Sequence, residues 1–311
     1  MLGLLGNISF NTGHAMPTIK PLRIAVLGPG KIGSTLAFQL ARAGNEVTVI
    51  ARPGSVRLQQ LQRDNGIVTV EGARAEVQIT DILNEGKPYD LVIVTVVAYQ
   101  IDAVLPALQR CKAKSIQLMF VTFEPERLRD AIGAERCSFG MPFFQAMLDK
   151  DGKLKHTISK SQNTLMSQQR WVDVFIAAGL PAAYEHNMSL WLRCHVPLCV
   201  GFESVAVAGE LRGGGASWSD ALRVARGVKE SFALIRGLGY DIYPKSKAQL
   251  SGLPNIILAL LFWVFSRMKS MRELLATGKT ECQSLLDVMV AAAPGSKPPI
   301  TISKLEAIKP S

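Results

Sequence analysis

A glycine-rich turn between an apolar run and an amphipathic stretch most constrains how this chain can fold. Residues 23–27 (RIAVL) are typical of a β-strand, and the sequence GPGKIG follows at residues 28–33. Apolar residues then recur three and four positions apart up to Ala43, which predicts a helix. Gly44-Asn45 ends that helix, and residues 46–50 (EVTVI) begin a second strand. The segments complete a βαβ unit within about thirty residues, which predicts a Rossmann-type domain.

The alternation of apolar strands and helices continues along the chain. Residues 90–96 predict a third strand, residues 100–111 a helix, and residues 115–122 a further strand. Strands of a parallel sheet covered by helices on both faces are apolar throughout, so we predict a doubly wound parallel sheet. Residues 137–160 show little helical periodicity and are predicted to add strands or loops.

From about residue 185 onward the sequence is typical of helices. Apolar residues lie three and four positions apart in residues 188–207, 219–237, 247–271 and 280–293. We therefore predict an α/β protein with a Rossmann-type domain at residues 23–184. An all-helical C-terminal domain at residues 185–295 is predicted to bind substrate and form a dimer. Residues 1–22 and 296–311 are predicted to be tails.

Charge, cysteine content and hydropathy argue against several classes of protein. The formal net charge of +10 suits an anionic ligand. The basic residues are not concentrated, and residues 150–160 contain no aromatic side chain, so no nucleic-acid partner is predicted. Five cysteines without a CxxC pair and four scattered histidines predict neither a disulfide framework nor a metal site.

Neither end of the sequence nor its most apolar run predicts contact with a membrane. Residues 1–22 lack the basic region and the long apolar stretch of a signal peptide. The apolar run at residues 256–265 is about half of the ~20 residues that a span needs, and it is predicted to be a buried core helix. We therefore predict a cytoplasmic protein without a membrane partner.

The glycine turn fits the GxGxxG pattern of dinucleotide-binding sites. In such a turn Gly28 permits the sharp bend, Gly30 lets a pyrophosphate approach the backbone, and Gly33 lets helix and strand pack closely. Free amides and the helix dipole attract phosphate there. The predicted phosphate-binding residues are Gly28, Pro29, Gly30, Lys31, Ile32 and Gly33.

The residue after the second strand indicates which dinucleotide is bound. An NAD site usually has Asp or Glu there to bind the ribose hydroxyls, whereas this chain has Ala51-Arg52. A planar, permanently charged guanidinium suits a 2′-phosphate, so Arg52 predicts NADP(H) as the cofactor. The alternative is an exposed arginine without a ligand.

Several segments resemble the ketopantoate reductases, the NADPH-dependent 2-oxoacid reductases of pantothenate synthesis. LRIAVLGPGKIGSTLAFQLARAGNEVTVIAR is similar to the family's opening, and YDLVIVTVVAYQIDAVLPAL to its strand and helix beside the nicotinamide. The resemblance implies a homodimeric NADP(H)-dependent oxidoreductase that acts on a small anionic 2-oxoacid. It also implies further cofactor contacts from Val96, Val97, Gln100 and Thr122.

The sequence departs from the family at positions that matter for catalysis. The family's lysine near the nicotinamide corresponds to Val97, and the Asn-Gly pair after the next strand corresponds to Thr122-Phe123. The catalytic lysine of the second domain corresponds to Arg193, and the asparagine that follows it to Pro197. Arginine stays protonated, so Arg193 is predicted to polarise the carbonyl or bind the carboxylate rather than to donate a proton.

Three further residues complete the predicted catalytic set. His195 is predicted to supply the proton because imidazole titrates near neutral pH; packing against Trp191 is the equal alternative. Ser270 and Glu281 correspond to family residues that hold the substrate carboxylate and the cofactor or active-site network.

Other interpretations of the same residues remain open. Glu203 and Ser204, in an otherwise apolar helix, form another candidate pair whose alternative is a capping or packing role. The apolar segments VVAYQ and CHVPLC would also suit the pocket of a reductase of an imine or a bulkier oxoacid. A third hypothesis is a catalytically idle NADP(H)-binding protein that reports redox state to a partner.

Overall fold

The computed structural model describes residues 20–309. The predicted N-terminal tail, residues 1–22, lies almost wholly outside this range. The described chain forms an α/β region followed by a helical region. The strands are β1 (Arg23–Leu27), β2 (Glu46–Ile50), β3 (Ile67–Val68), β4 (Arg74–Ala75), β5 (Gln78–Thr80), β6 (Leu91–Val94), β7 (Ile116–Leu118), β8 (Cys137–Met141), β9 (Gln145–Leu148), β10 (Leu154–Thr157), β11 (Thr164–Met166) and β12 (Ala182–Tyr184). The helices of this region are α1 (Lys31–Arg42), α2 (Val56–Asp64), α3 (Ile101–Arg110), α4 (Pro125–Ile132) and α5 (Gln169–Ala177).

Eight strands form the central sheet in the order β5-β2-β1-β6-β7-β8-β11-β12. All neighbouring pairs are parallel except β8 and β11, which are antiparallel. The predicted doubly wound parallel sheet is thereby confirmed. The strand order reverses between β1 and β6, and ligands of such sheets bind beyond the carboxyl ends of the strands at that switch point.

Two segments of the α/β region differ from the sequence prediction in detail. The strand predicted at residues 115–122 ends at Leu118, and residues 119–122 continue beyond the sheet edge. Residues 137–160 supply both kinds of structure that were predicted: β8 joins the central sheet, and β9 pairs with β10 in a separate antiparallel hairpin.

The first helix of the helical region begins at Met188, and the predicted boundary at residue 184 coincides with the last residue of β12. The predicted helix at residues 188–207 is divided at Cys194-His195, because Pro197 lies in the first turn of a new helix. The predicted helix at residues 247–271 is likewise divided, with Pro254 preceding the middle piece. The helices are α6 (Met188–Arg193), α7 (Val196–Leu211), α8 (Trp218–Gly237), α9 (Lys245–Gly252), α10 (Asn255–Phe265), α11 (Lys269–Leu275), α12 (Lys279–Ala292) and α13 (Ile302–Glu306).

Residues after 295 do not form the tail that was predicted. Leu305 and Ile308 are fully buried in the core of the helical region. The hydroxyl of Ser204, on α7, donates a 2.7 Å hydrogen bond to the carbonyl oxygen of Ile308. The prediction was wrong because two apolar side chains suffice to bind a segment rich in Pro, Lys and Ser.

The apolar helix α10 is only half buried, contrary to the prediction of a fully buried core helix. Leu258 and Phe262 are buried, whereas Ile256 is 66% exposed and Leu260 48% exposed. The predicted homodimer would give this exposed face a partner, and it stays a prediction. Among the described residues, the segment Met188–Leu211 is by itself long and apolar enough to cross a membrane, but 72% of its most apolar 18-residue window is buried in the fold, as in a core helix.

Candidate functional site

The glycine turn occupies the switch point between β1 and β6. Gly28 has a φ of +88°, which a residue with a side chain rarely adopts, and its amide donates a 3.0 Å bond to the carbonyl of Ile50. A Cβ on Gly33 would lie 2.4 Å from both the Gly28 carbonyl oxygen and the Thr95 hydroxyl oxygen. The turn therefore packs directly on the residue that follows β6, and only glycine fits at position 33.

The start of α1 leaves space and free amides for an anion. Gly30 precedes the helix without a side-chain cap, so the first helical amides have no acceptor within the helix. A Cβ on Gly30 would approach only one atom, at 4.0 Å, so its outer face is open. These residues fit the diphosphate of a dinucleotide.

Arg57, which the sequence analysis missed, supports the same turn. Its guanidinium donates to the carbonyl of Pro29 at 2.9 Å, to the hydroxyl of Ser34 at 2.9 Å and to the carbonyl of Gly152 at 2.8 Å. Burial lowers the pKa of Arg57 to about 10. Arg52, the residue predicted to bind a 2′-phosphate, lies exposed just after β2. No local pattern distinguishes Arg57 from a surface arginine, so only tertiary structure reveals it.

A cavity of about 370 Å³ lies beyond the carboxyl ends of β6, β7 and β8, between the sheet and the helical region. It contains four residues of the predicted cofactor site, Ile32, Val96, Val97 and Glu281, and two of the predicted catalytic set, His195 and again Glu281. The lining residues are Ile32, Thr95, Val96, Val97, Met119, Phe120, Val121, Met141, Pro142, His195, Cys199, Phe202, Glu203, Leu275, Glu281 and Leu285.

Two carboxyl groups from different helices, Glu203 on α7 and Glu281 on α12, line the cavity together. Burial and the charge of Glu281 raise the pKa of Glu203 to about 8. Burial also raises the pKa of Glu281, against the effect of a hydrogen bond from the backbone amide of Ala98. The Oε2 atom of Glu203 is buried and has no hydrogen-bond partner. Near neutral pH the pair therefore retains a proton.

Position 203 offers a direct test of this charge state. Between pH 4.5, the ordinary pKa of a glutamate, and about pH 8, Glu203 stays protonated in the folded protein. In the unfolded chain the same carboxyl group is ionised over this range. The native state then binds more protons than the unfolded state, so the free energy of unfolding falls as pH rises through this window. We expect the free energy of unfolding of Glu203→Gln, relative to that of the wild type, to rise by roughly 2–4 kcal/mol between about pH 5 and about pH 8.

Urea denaturation of both proteins at several pH values measures this difference. The comparison cancels the titration of His195, Lys247 and the neighbouring cysteines, which both proteins share. Glu135→Gln is the matched control, because Glu135 is an exposed carboxylate that does not line the cavity. A wild-type-to-variant difference that does not change with pH would show that Glu203 ionises normally.

His195 reaches the cavity but is not suited to the proton transfer predicted for it. Its ring packs on Trp191 with the centroids 4.5 Å apart, and its buried Nδ1 atom has no hydrogen-bond partner. Burial and the nearby Lys247 lower its pKa to about 3, so the imidazole is neutral at physiological pH. This geometry matches the alternative given for His195 in the sequence analysis, in which its ring packs on Trp191.

Lys247 is a buried amine behind the cavity that the sequence analysis did not identify. Its ammonium nitrogen lies 3.4 Å from the centre of the Trp191 ring and donates a 2.7 Å bond to the carbonyl oxygen of Trp191. Burial lowers the pKa of Lys247 to about 7. Lys247 is more than fifty residues from Trp191 in the chain, so nothing in the local sequence indicates this contact.

Arg193 lies away from the cavity. Its side chain is buried, contacts both carboxylate oxygens of Glu126, and donates a 3.1 Å bond to the carbonyl of Phe123. The guanidinium also stacks over the ring of Tyr240 at 4.0 Å. The break between α6 and α7 directs Arg193 and His195 to different places, so the structure does not bring the two together as a catalytic pair.

Three other predicted site residues also lie outside the cavity lining. Ser270 is exposed on α11, and Gln100 is exposed at the start of α3. Thr122 is buried, and its hydroxyl accepts a hydrogen bond from the amide of Glu124. The structure thus places Val96, Val97 and Glu281 at the cavity but not these three residues.

A second depression, of about 670 Å³, lies against α1 and α5 and is lined by Gln39, His156, Lys160 and Ile176 among others. It contains none of the predicted site residues and lies away from the glycine turn. Within residues 20–309, no group of three or more His, Cys, Asp or Glu side chains could hold a metal ion. The cavity at the strand ends is therefore the candidate active site.

Comparison with known families shows which proteins the α/β region resembles. Residues 24–168 match the model of the family described as ketopantoate reductase PanE/ApbA. The α/β region is therefore similar to the corresponding part of ketopantoate reductases. A search of curated protein sequences gave no significant match.

Solved structures are similar in fold to nearly the whole chain and not only to residues 24–168. A PanE/ApbA family ketopantoate reductase from Ralstonia eutropha JMP134 matches with a TM-score of 0.70 and 18% identity, covering 92% of this chain and 95% of that chain. A 2-dehydropantoate 2-reductase from Porphyromonas gingivalis W83 has a TM-score of 0.63 and 15% identity, covering 93% and 98%. D-mandelate dehydrogenase in complex with NADH has a TM-score of 0.69 and 17% identity, covering 93% and 96%. The helical region therefore shares the fold of ketopantoate reductases.

Proposed function

We propose that this protein is an NADP(H)-dependent reductase. The observation that carries the proposal is the glycine turn at the switch point, which leads directly into the cavity lined by Glu281. The turn and the first amides of α1 would hold the diphosphate, and Val96 and Val97 would contact the nicotinamide end. When bound, the reduced nicotinamide supplies a hydride.

The protein's own contribution is to position and enclose the substrate. Apolar residues after β7 and β8, together with Phe202 and Leu285, make up a large part of the cavity wall. A substrate held there would lie between the sheet and α7, shielded from water. The small 2-oxoacid of the family is the first substrate class to test, and a redox sensor without turnover is the alternative.

The choice of NADP(H) depends on Arg52. One similar structure was solved with NADH, so the fold does not decide between the two dinucleotides. Arg52 is exposed after β2, where the adenosine ribose of a bound dinucleotide would lie. Its guanidinium would pair with the 2′-phosphate that only NADP(H) carries.

Arg52→Ser should therefore weaken NADPH binding by about 10–100-fold, the value of one charge-assisted hydrogen bond, and leave NADH binding unchanged. Isothermal titration calorimetry with each dinucleotide measures both affinities. Arg226→Ser, an exposed arginine of α8, is the matched control and should bind both as the wild type does. Equal loss of NADH affinity would assign Arg52 to a structural role, and binding of neither dinucleotide to the wild type would refute the proposed function.

A further inference from the structure

The electrostatic character of the cavity indicates a substrate class. Glu203 and Glu281 are the charged side chains among its described lining residues, and no lysine or arginine is among them. His195, the remaining titratable nitrogen of the wall, is neutral at physiological pH. The cavity therefore presents acceptors and negative charge to whatever occupies it.

Within the part of the chain that the structure describes, no lysine or arginine forms an ion pair with either carboxyl group. The carboxyl group of Glu203 packs against the turn at Gly278, where an added Cβ would lie 2.9 Å from its Cδ atom. Its Oε2 atom and the Nδ1 atom of His195 are both buried without a hydrogen-bond partner. Both residues line the cavity although these two atoms are covered, so the polar surface that this wall offers a ligand comes from the rest of the carboxyl groups.

Two cationic side chains near the cavity, Arg193 and Lys247, contact other groups. Arg193 is paired with Glu126, and Lys247 donates to the backbone of Trp191 from behind the ring. A 2-oxoacid would bring a third carboxylate into the space of Glu203 and Glu281 with neither cation available to bind it. Burying an unpaired carboxylate beside two others is strongly unfavourable.

We propose that the substrate carries a positively charged nitrogen at its reacting carbon, as an iminium ion does, and that Glu203 and Glu281 bind that charge. This inference rests on the proposed function and replaces the oxoacid by a C=N substrate. The hydride breaks its bond to nicotinamide C4 and forms a C–H bond at the iminium carbon. The π electron pair of C=N moves to nitrogen, giving a neutral amine and the oxidised nicotinamide, so charge and electrons balance.

Binding of a permanent cation tests the proposal without turnover. Benzyltrimethylammonium cannot lose a proton, so any proton released on binding comes from the protein. With the NADPH-loaded protein at about pH 7, we expect the cation to displace up to about one proton from the carboxyl pair. Calorimetry in two buffers of different ionisation enthalpy measures this number.

Variants of the pair assign the proton to its residue. Glu203→Gln should abolish proton release and weaken benzyltrimethylammonium binding at least about 10-fold, while Glu135→Gln should behave as the wild type. Glu281→Gln is the second variant, and it should weaken binding too. The neutral carbon isostere neopentylbenzene should bind equally to the wild type and Glu203→Gln. Binding of the cation with undiminished affinity to both glutamine variants would overturn the proposal.

A turnover comparison separates this inference from the proposed function. We expect NADPH oxidation with the cyclic imine 2-phenyl-1-pyrroline at least about 10-fold faster, as kcat/KM, than with phenylglyoxylate, a 2-oxoacid with the same phenyl group. Faster reduction of phenylglyoxylate would overturn the inference and leave the reductase intact. Failure of the wild type to bind NADPH would instead overturn the proposed function.

Discussion

Replacing Gly33 by alanine is expected to lower the affinity for NADPH by at least about 100-fold, equivalent to roughly 3 kcal/mol. The added Cβ would lie 2.4 Å from both the Gly28 carbonyl oxygen and the Thr95 hydroxyl oxygen. Both neighbours are fixed, since the Thr95 hydroxyl donates a 2.7 Å bond to that same carbonyl. The turn must move away from β6, and its amides then no longer converge on the diphosphate.

Two further glycine variants separate a ligand effect from misfolding. Gly30→Ala adds a methyl group that meets no protein atom closer than 4.0 Å, so it should fold normally yet obstruct the diphosphate. Gly252→Ala, at a glycine of α9 with nothing within 4 Å, should leave NADPH binding unchanged. Fluorescence titration with NADPH and thermal melts of all three variants provide the comparison. Wild-type affinity in both Gly33→Ala and Gly30→Ala would mean that the dinucleotide does not bind at this turn.

Arg193→Ala is expected to destabilise the protein by about 3 kcal/mol, because it leaves Glu126 partly buried and unpaired. The variant also loses the stacking of the guanidinium on Tyr240 and the bond to the carbonyl of Phe123. For a domain of this size the melting temperature should fall by roughly 6–12 °C. Differential scanning calorimetry measures both quantities.

Arg193→Lys distinguishes this structural role from the catalytic role predicted by sequence. Lysine keeps the charge but cannot bind both carboxylate oxygens as a planar fork, so an intermediate loss of stability is expected. Below its melting temperature the variant should bind NADPH and benzyltrimethylammonium as the wild type does. Arg226→Ala, on the exposed face of α8, is the control for loss of an arginine. A melting temperature unchanged in Arg193→Ala would contradict the structural role.

The Rossmann-type sheet could be predicted because its determinants are local. The strand at residues 23–27, the turn at residues 28–33 and the helix after it are each specified by residues within a few positions of one another. Tertiary packing decided the details that local periodicity missed, such as the burial of Leu305 and Ile308.

The candidate active site was less predictable because its charges are paired over long distances in sequence. Arg193 pairs with Glu126, which lies sixty-seven residues away in the sequence, and Lys247 donates to the carbonyl of Trp191, fifty-six residues away. Family correspondence placed Arg193 at a catalytic position, but the helix break near Pro197 carries its side chain elsewhere. Glu281 was predicted from the resemblance, whereas its pairing with Glu203 emerges only when α7 and α12 pack together.

The buried C-terminal segment has a practical consequence for protein engineering. Ser204 is the immediate neighbour of Glu203, and its hydroxyl is anchored by the backbone of Ile308. The Pro- and Lys-rich sequence of the segment suggests that the protein could be shortened to residue 300. Such a truncation would remove the hydrogen bond to Ser204 and expose the helical core next to the carboxyl pair. Expression designs for this protein therefore need to retain the segment, although it lies far from every cofactor motif in the sequence.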